Sequence, residues 1–141
     1  MISDKINIQA DWNRWIIKEE VSDEGGANIQ SKNKGLINLP QTGWQYGDDG
    51  SWHDDNTLSV KGNKADSIAK GNHYSYYNIK EGEPTYPYTV TVSSTEGAAD
   101  EQVKSLGVYK KTYQIHSGRP VWKSTVRDDR FLFYNGKNIK Y

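Results

Sequence analysis

The chain has 141 residues, with 18 basic and 18 acidic side chains, a formal net charge of zero and no cysteine. Disulfides and thiolate metal sites are therefore excluded, and no long-range field draws the chain to nucleic acid or to an anionic membrane. No run of residues reaches transmembrane length. The length suits one domain, residues 1–141, with a core of its own.

Five Trp and ten Tyr stand against two Phe and one Met, with thirteen Gly. Such a chain builds its core from amphipathic aromatics. Each buried Trp or Tyr needs a hydrogen-bond partner for its polar end, which favours thin β layers.

Taken in order, the first residues carry neither the basic nor the apolar block of a signal peptide. A secreted protein would be seen here in mature or fragment form. Lys5–Gln9 alternates apolar and polar residues, as a half-buried strand does. Ala10–Asn13 can turn, and Arg14–Lys18 resumes the strand. This stretch lines up loosely with Arg130–Tyr141: Lys5, Ile6 and Ile8 fall on Arg130, Phe131 and Phe133, and Asn13 falls on Asn138. Ser22–Gly35 is polar, a long loop or a weak strand around Ala27–Ile29. Trp44, Tyr46 and Trp52 flank an acidic turn, and Thr57–Val60 is a short strand.

His73–Ile79 is strand-like. Tyr88–Ser93 alternates most clearly. Ser94 is placed to cap a short helix running to Lys104, with Gly107 as its stop. Three strands follow from Gly107 onward, the first two joined by a turn at His116-Ser117-Gly118. Pro120 belongs at a strand start or on an edge, because it lacks a ladder donor. Phe131–Tyr134 is dense and apolar, and Asn135-Gly136 is a strong hairpin signal. The expected fold is all-β, of antiparallel meander sheets, sandwich- or barrel-like, with at most one short helix.

Catalytic signatures are missing. His53, His73 and His116 are scattered, without zinc-ligand spacing. There is no nucleophile elbow and no phosphate-cradling glycine loop. The pairs Asp48-Asp49, Asp54-Asp55 and Asp128-Asp129 sit in turn contexts, where aspartates cap their own backbone amides rather than face each other across a cleft. The aspartates around Gly50 lack a calcium-loop pattern. No catalytic residue, metal ligand or cofactor is assigned. Two classes of function remain. One is a structural protein that self-associates through strand pairing. The other is a glycan-binding module in which Trp44 and Trp52 stack on sugars while Asp54 and Asp55 hold hydroxyls. Mineral contact has no long acidic or basic run behind it.

Three blocks together resemble a repeat module of large extracellular proteins of aquatic invertebrates. The first is Leu39-Pro40, Gly43–Tyr46, then Trp52, Asp55, Thr57-Leu58 and Val60. The second is Val92–Ser94, Gly97–Ala99, then Leu106–Lys110. The third is Gly118–Lys123, then Phe131–Tyr134. The resemblance implies an extracellular, skeletal or biomineral-matrix setting and no site residues. In that module the third block precedes a Trp-containing strand, which precedes the first block. Here the strand of Trp15 and the first block come earlier. The chain therefore looks permuted, or cut from a tandem array in another phase. Two outcomes are open: the N-terminal strands pair with the C-terminal hairpin of the same chain, or with that of the next chain in a filament.

Overall fold

The structure, a computed structural model, describes residues 13–22, 26–63 and 86–136. The expected strands at Lys5–Gln9 and His73–Ile79, and the residues after the Asn135-Gly136 signal, lie outside them.

The described residues form one curled antiparallel sheet of nine strands and one short α-helix. The strands are β1 (Arg14–Lys18), β2 (Ile29–Ser31), β3 (Trp44–Asp48), β4 (Ser51–Asp54) and β5 (Ser59–Gly62), then β6 (Thr89–Ser93), β7 (Gly107–His116), β8 (Arg119–Ser124) and β9 (Phe131–Asn135). The all-β expectation holds. The spatial order is β4-β3-β2-β1-β9-β8-β7-β6-β5. Every neighbour is a neighbour in sequence, except where β1 pairs β9.

The two ends of this order are consecutive in the chain. After β4 leaves β3, the Asp55 N–H still donates to the Trp44 carbonyl at 3.4 Å, and the Val60 N–H donates to the Gln41 carbonyl at 2.9 Å. Residues 51–62 thus run as one interrupted strand that begins beside β3 and ends beside β6. Counted that way, nine strands become eight. An even number lets a curled meander come round on itself with no parallel pair.

Alternation sorts the side chains into two faces. The inner face holds the main core: Trp15 and Ile17 of β1, Ile29, Trp44, Val60, Val90, Val92, Tyr109, Trp122, and Leu132 and Tyr134 of β9. Every strand but β4 contributes. A smaller apolar cluster covers the outer face, with Ile16, Ala27, Val121 and Phe133 buried and Trp52, Val21 and Phe131 packed on it. Strands buried on both faces explain why Ile16-Ile17 and Phe131–Tyr134 read as continuous apolar runs.

The need of buried Trp for a polar partner is met by loop backbone. The indole N–H groups of Trp15, Trp44 and Trp122 donate to the carbonyls of Leu36, Pro40 and Pro87 at 3.0, 3.0 and 2.9 Å. Each bond is worth about 1 kcal/mol net, and together they tie two connecting segments to the core.

Two hairpins turn on residue pairs with positive φ: Asp49 (58°) with Gly50 (76°), and Ser117 (54°) with Gly118 (76°). Both have the primed-turn geometry that matches strand twist. Several elements differ from expectation. β2 is centred at Gln30, later than the weak strand around Ala27–Ile29, and β5 starts at Ser59 rather than Thr57. The helix α1 is short, Gly97–Glu101, followed by one 3-10 turn at Val103–Ser105. Its N-cap is Glu96, not Ser94, and Glu96 supplies no side-chain cap. Pro120 keeps to expectation, near the start of β8 at its second position, opposite Ile115.

Candidate functional site

The fold scatters the residues expected to bind a glycan. Trp44 is 1% exposed and belongs to the inner core. Asp55 is 4% exposed at the corner between β4 and β5. Its Oδ1 accepts the Thr57 N–H at 2.8 Å and the Thr57 hydroxyl at 2.7 Å. Its Oδ2 accepts the Ser94 hydroxyl at 2.7 Å and the Ala98 N–H at 3.0 Å. Burial pushes this carboxyl up, but the bonds from Thr57, Ala98 and Ser94 outweigh it and hold the pKa at about 2. All its acceptor capacity serves the fold. Trp52 and Asp54 alone share a surface, two residues apart on the outer face of β4.

Around Asp54 lies a row that sequence reading missed. Gln30, Gln45 and Asp54 are successive register partners across β2, β3 and β4. The Gln30 amide donates to Gln45 Oε1 at 2.8 Å, the Gln45 amide donates to Asp54 Oδ1 at 2.9 Å, and Lys32 Nζ meets Asp54 Oδ2 at 3.2 Å. Gln45 and then Lys32 hold the Asp54 carboxyl below the usual range. No spacing signals this row, because its members are 15 and 9 residues apart and meet only through the register.

The remaining described acidic pairs and histidines are engaged separately. Asp49 forms the β3–β4 turn. Asp128 and Asp129 meet Lys123, Arg127 and Arg130 at 3.8, 3.2 and 3.3 Å. His53 stacks on Tyr46, and His116 meets Phe133 edge-on. Among the described residues no group of three His, Asp or Glu side chains comes together to hold a metal ion. No described helix is long and apolar enough to cross a membrane.

The junction of β1 with β9 is the second feature. Arg14–Lys18 runs antiparallel to Phe131–Asn135 from Arg14↔Asn135 to Lys18↔Phe131. At the end where Arg14 lies, the Asn13 N–H donates to the Asn135 carbonyl. Inside the junction, Trp15 meets Tyr134 and Trp122 at ring-centroid distances of 5.3 and 6.0 Å. The Arg119 guanidinium lies 3.5 Å above the Tyr134 ring, a cation–π contact at its closest useful range.

No protein-family model, curated protein or solved structure matches the chain.

Proposed function

We propose that this chain is a non-catalytic structural module that self-associates by strand pairing, suited to an extracellular or skeletal matrix. One observation supports it above others: the first and last described strands are hydrogen-bonded neighbours, so the two ends of the described fold lie side by side. A unit with adjacent ends is suited to repetition along a chain.

The strand order supports the resemblance to the extracellular repeat module. There, the block matching β8 and β9 precedes a Trp strand, which precedes the block matching β3. Here β8, β9, β1, β2 and β3 are successive neighbours in the sheet. The order along the module is the order across this sheet. Opening a ring of strands at a different turn changes no pairing, so a permuted or phase-shifted chain builds the same ring. The same β1–β9 ladder is equally available between two chains, β1 of one lying beside β9 of the next. Such exchange is a low-cost route to assembly, and zero net charge does not oppose it. Extracellular placement and any mineral contact belong to this proposal and rest on the resemblance.

Lys18 and Phe131 are register partners on the outer face, and the chain has no cysteine of its own. The Lys18→Cys, Phe131→Cys variant therefore reports which chain each strand pairs with. Mild oxidation should give a covalent ladder of oligomers that lengthens with protein concentration. A single intrachain-linked monomer at every concentration, with constant mass by light scattering, overturns self-association.

A further inference from the structure

We propose that the outer face of β3 and β4 binds a neutral polysaccharide, with Trp52 as the stacking platform and Asp54 and Gln45, ordered by Gln30 of β2, as the groups that bond its hydroxyls. This face differs from the set first expected, since Trp44 and Asp55 are buried elsewhere. It needs no strand exchange at β1–β9.

Three features of the face point to a sugar. The first is the platform. Trp52 packs on the outer apolar cluster and stays partly exposed. Its register partner is Gly47, so no side chain rises beside the indole on β3. Among the described residues β4 has only β3 as a paired neighbour. A half-buried indole beside a glycine is a rigid apolar plate, which is what the C–H face of a pyranose ring stacks on.

The second is the polar row one step along the strands. Trp52 and Asp54 are two residues apart, which in a strand is about 6.8 Å. A sugar ring over Trp52 thus brings its rim hydroxyls, or the next ring of a chain, over Asp54 and Gln45. Lys32 and Asp54 set the direction of the row. Asp54 accepts only, so the Gln45 amide must point its NH₂ there, and Gln45 Oε1 then takes the NH₂ of Gln30. The row is ordered before any ligand arrives, which lowers the ordering cost of binding. The Lys32–Asp54 pair leaves it with no net charge, which suits a neutral polymer and not an acidic one.

The third is the fixed, buried end of the row. Gln30 is 4% exposed, and its Oε1 has no hydrogen-bond partner. A buried amide oxygen without a donor is rare in folded proteins. The row forces this orientation, since flipping the amide would break the bond to Gln45. That oxygen is enclosed, so Gln30 orders the row from its buried end, and Gln45 and Asp54 are the members that meet hydroxyls.

The test uses the full chain. Retention is measured by pelleting with microcrystalline cellulose and with chitin, and by affinity electrophoresis in gels containing xylan or mannan, with alginate as the acidic comparison. Binding to at least one neutral polymer is expected. Trp52→Ala should weaken it about tenfold or more, as loss of a central aromatic contact does. The double variant Gln45→Ala, Asp54→Ala should weaken it several-fold and retain the wild-type circular dichroism spectrum. Retention on none of the neutral polymers, or on alginate alone, overturns the proposal. So does wild-type binding by a folded Trp52→Ala protein. If Trp52→Ala does not fold, the double variant decides: unchanged binding overturns the proposal, and weakened binding with an intact fold upholds it.

Discussion

Asp55 caps helix α1 from a distance of 43 residues: its Oδ2 accepts the Ala98 N–H at 3.0 Å. The same carboxylate holds Thr57 and Ser94, so one side chain joins the corner between β4 and β5, the end of β6 and the start of the helix. The helix has no side-chain cap of its own, and five residues are too few to hold together without one. Asp55→Ala leaves buried donors unpaired, each costing about 1–3 kcal/mol. A loss of about 3 kcal/mol or more is expected in urea unfolding monitored by tryptophan fluorescence. A change below about 1 kcal/mol would mean that water replaces the carboxylate without penalty.

The same group sets an acid limit on stability. Its pKa is about 2 in the fold against an ordinary 3.8. A depressed carboxyl stabilises the folded state fully above the unfolded value, and the benefit is lost as pH falls through the folded one. About 2 kcal/mol should therefore disappear between about pH 4 and pH 2. In Asp55→Asn that component of the pH dependence should be absent. Urea midpoints for the two proteins across this window measure it, and parallel curves would assign the acid sensitivity to other carboxylates.

Gly97 and Tyr46 form a second long-range contact. A Cβ at position 97 would overlap the Tyr46 ring, so any larger residue there forces that ring to move. Gly97→Ala should cost about 2 kcal/mol through overpacking. Truncating the ring removes the obstacle, so the double variant Gly97→Ala, Tyr46→Ala should be more stable than the sum of the single effects by about 1 kcal/mol. Strict additivity in denaturant unfolding would show that the two residues do not meet.

The ring of strands predicts tolerance to circular permutation. A chain opened between Asp49 and Gly50, with its original ends joined by a flexible linker, keeps every strand pairing while losing one two-residue turn. It should fold to the same circular dichroism spectrum and lie within about 2 kcal/mol of the parent, since loop-closure cost changes slowly with length. A permutant that fails to fold would mean that β1 and β9 need the order in which they now emerge.

Much of the fold was legible in the residues alone. Tyr88–Ser93 alternates, Phe131–Tyr134 is continuously apolar, and Ser117-Gly118 sits where two strands must reverse. These signals are local, because strand periodicity and primed turns are properties of a few consecutive residues. The aromatic composition also foretold the Trp–carbonyl bonds, though not which loops would supply them. Long-range partners were not legible. Ser94 stands ahead of a helical stretch and its hydroxyl accepts the Glu96 N–H at 3.1 Å, but nothing in the sequence signals that the same hydroxyl donates to Asp55. Trp44 and Trp52 look alike in an aromatic-rich segment, and the register alone puts one inside and the other outside. Asp54 and Asp55 are neighbours in the chain, and alternation sends them to opposite sides, one to a surface row and one to a buried corner. The sequence by itself determined that this protein is β-rich, uncharged overall and aromatic in its core. Only the tertiary structure decided that β1 lies beside β9 and that Gln30, Gln45 and Asp54 form one row, because both depend on pairings between residues far apart in the chain, which no local pattern encodes.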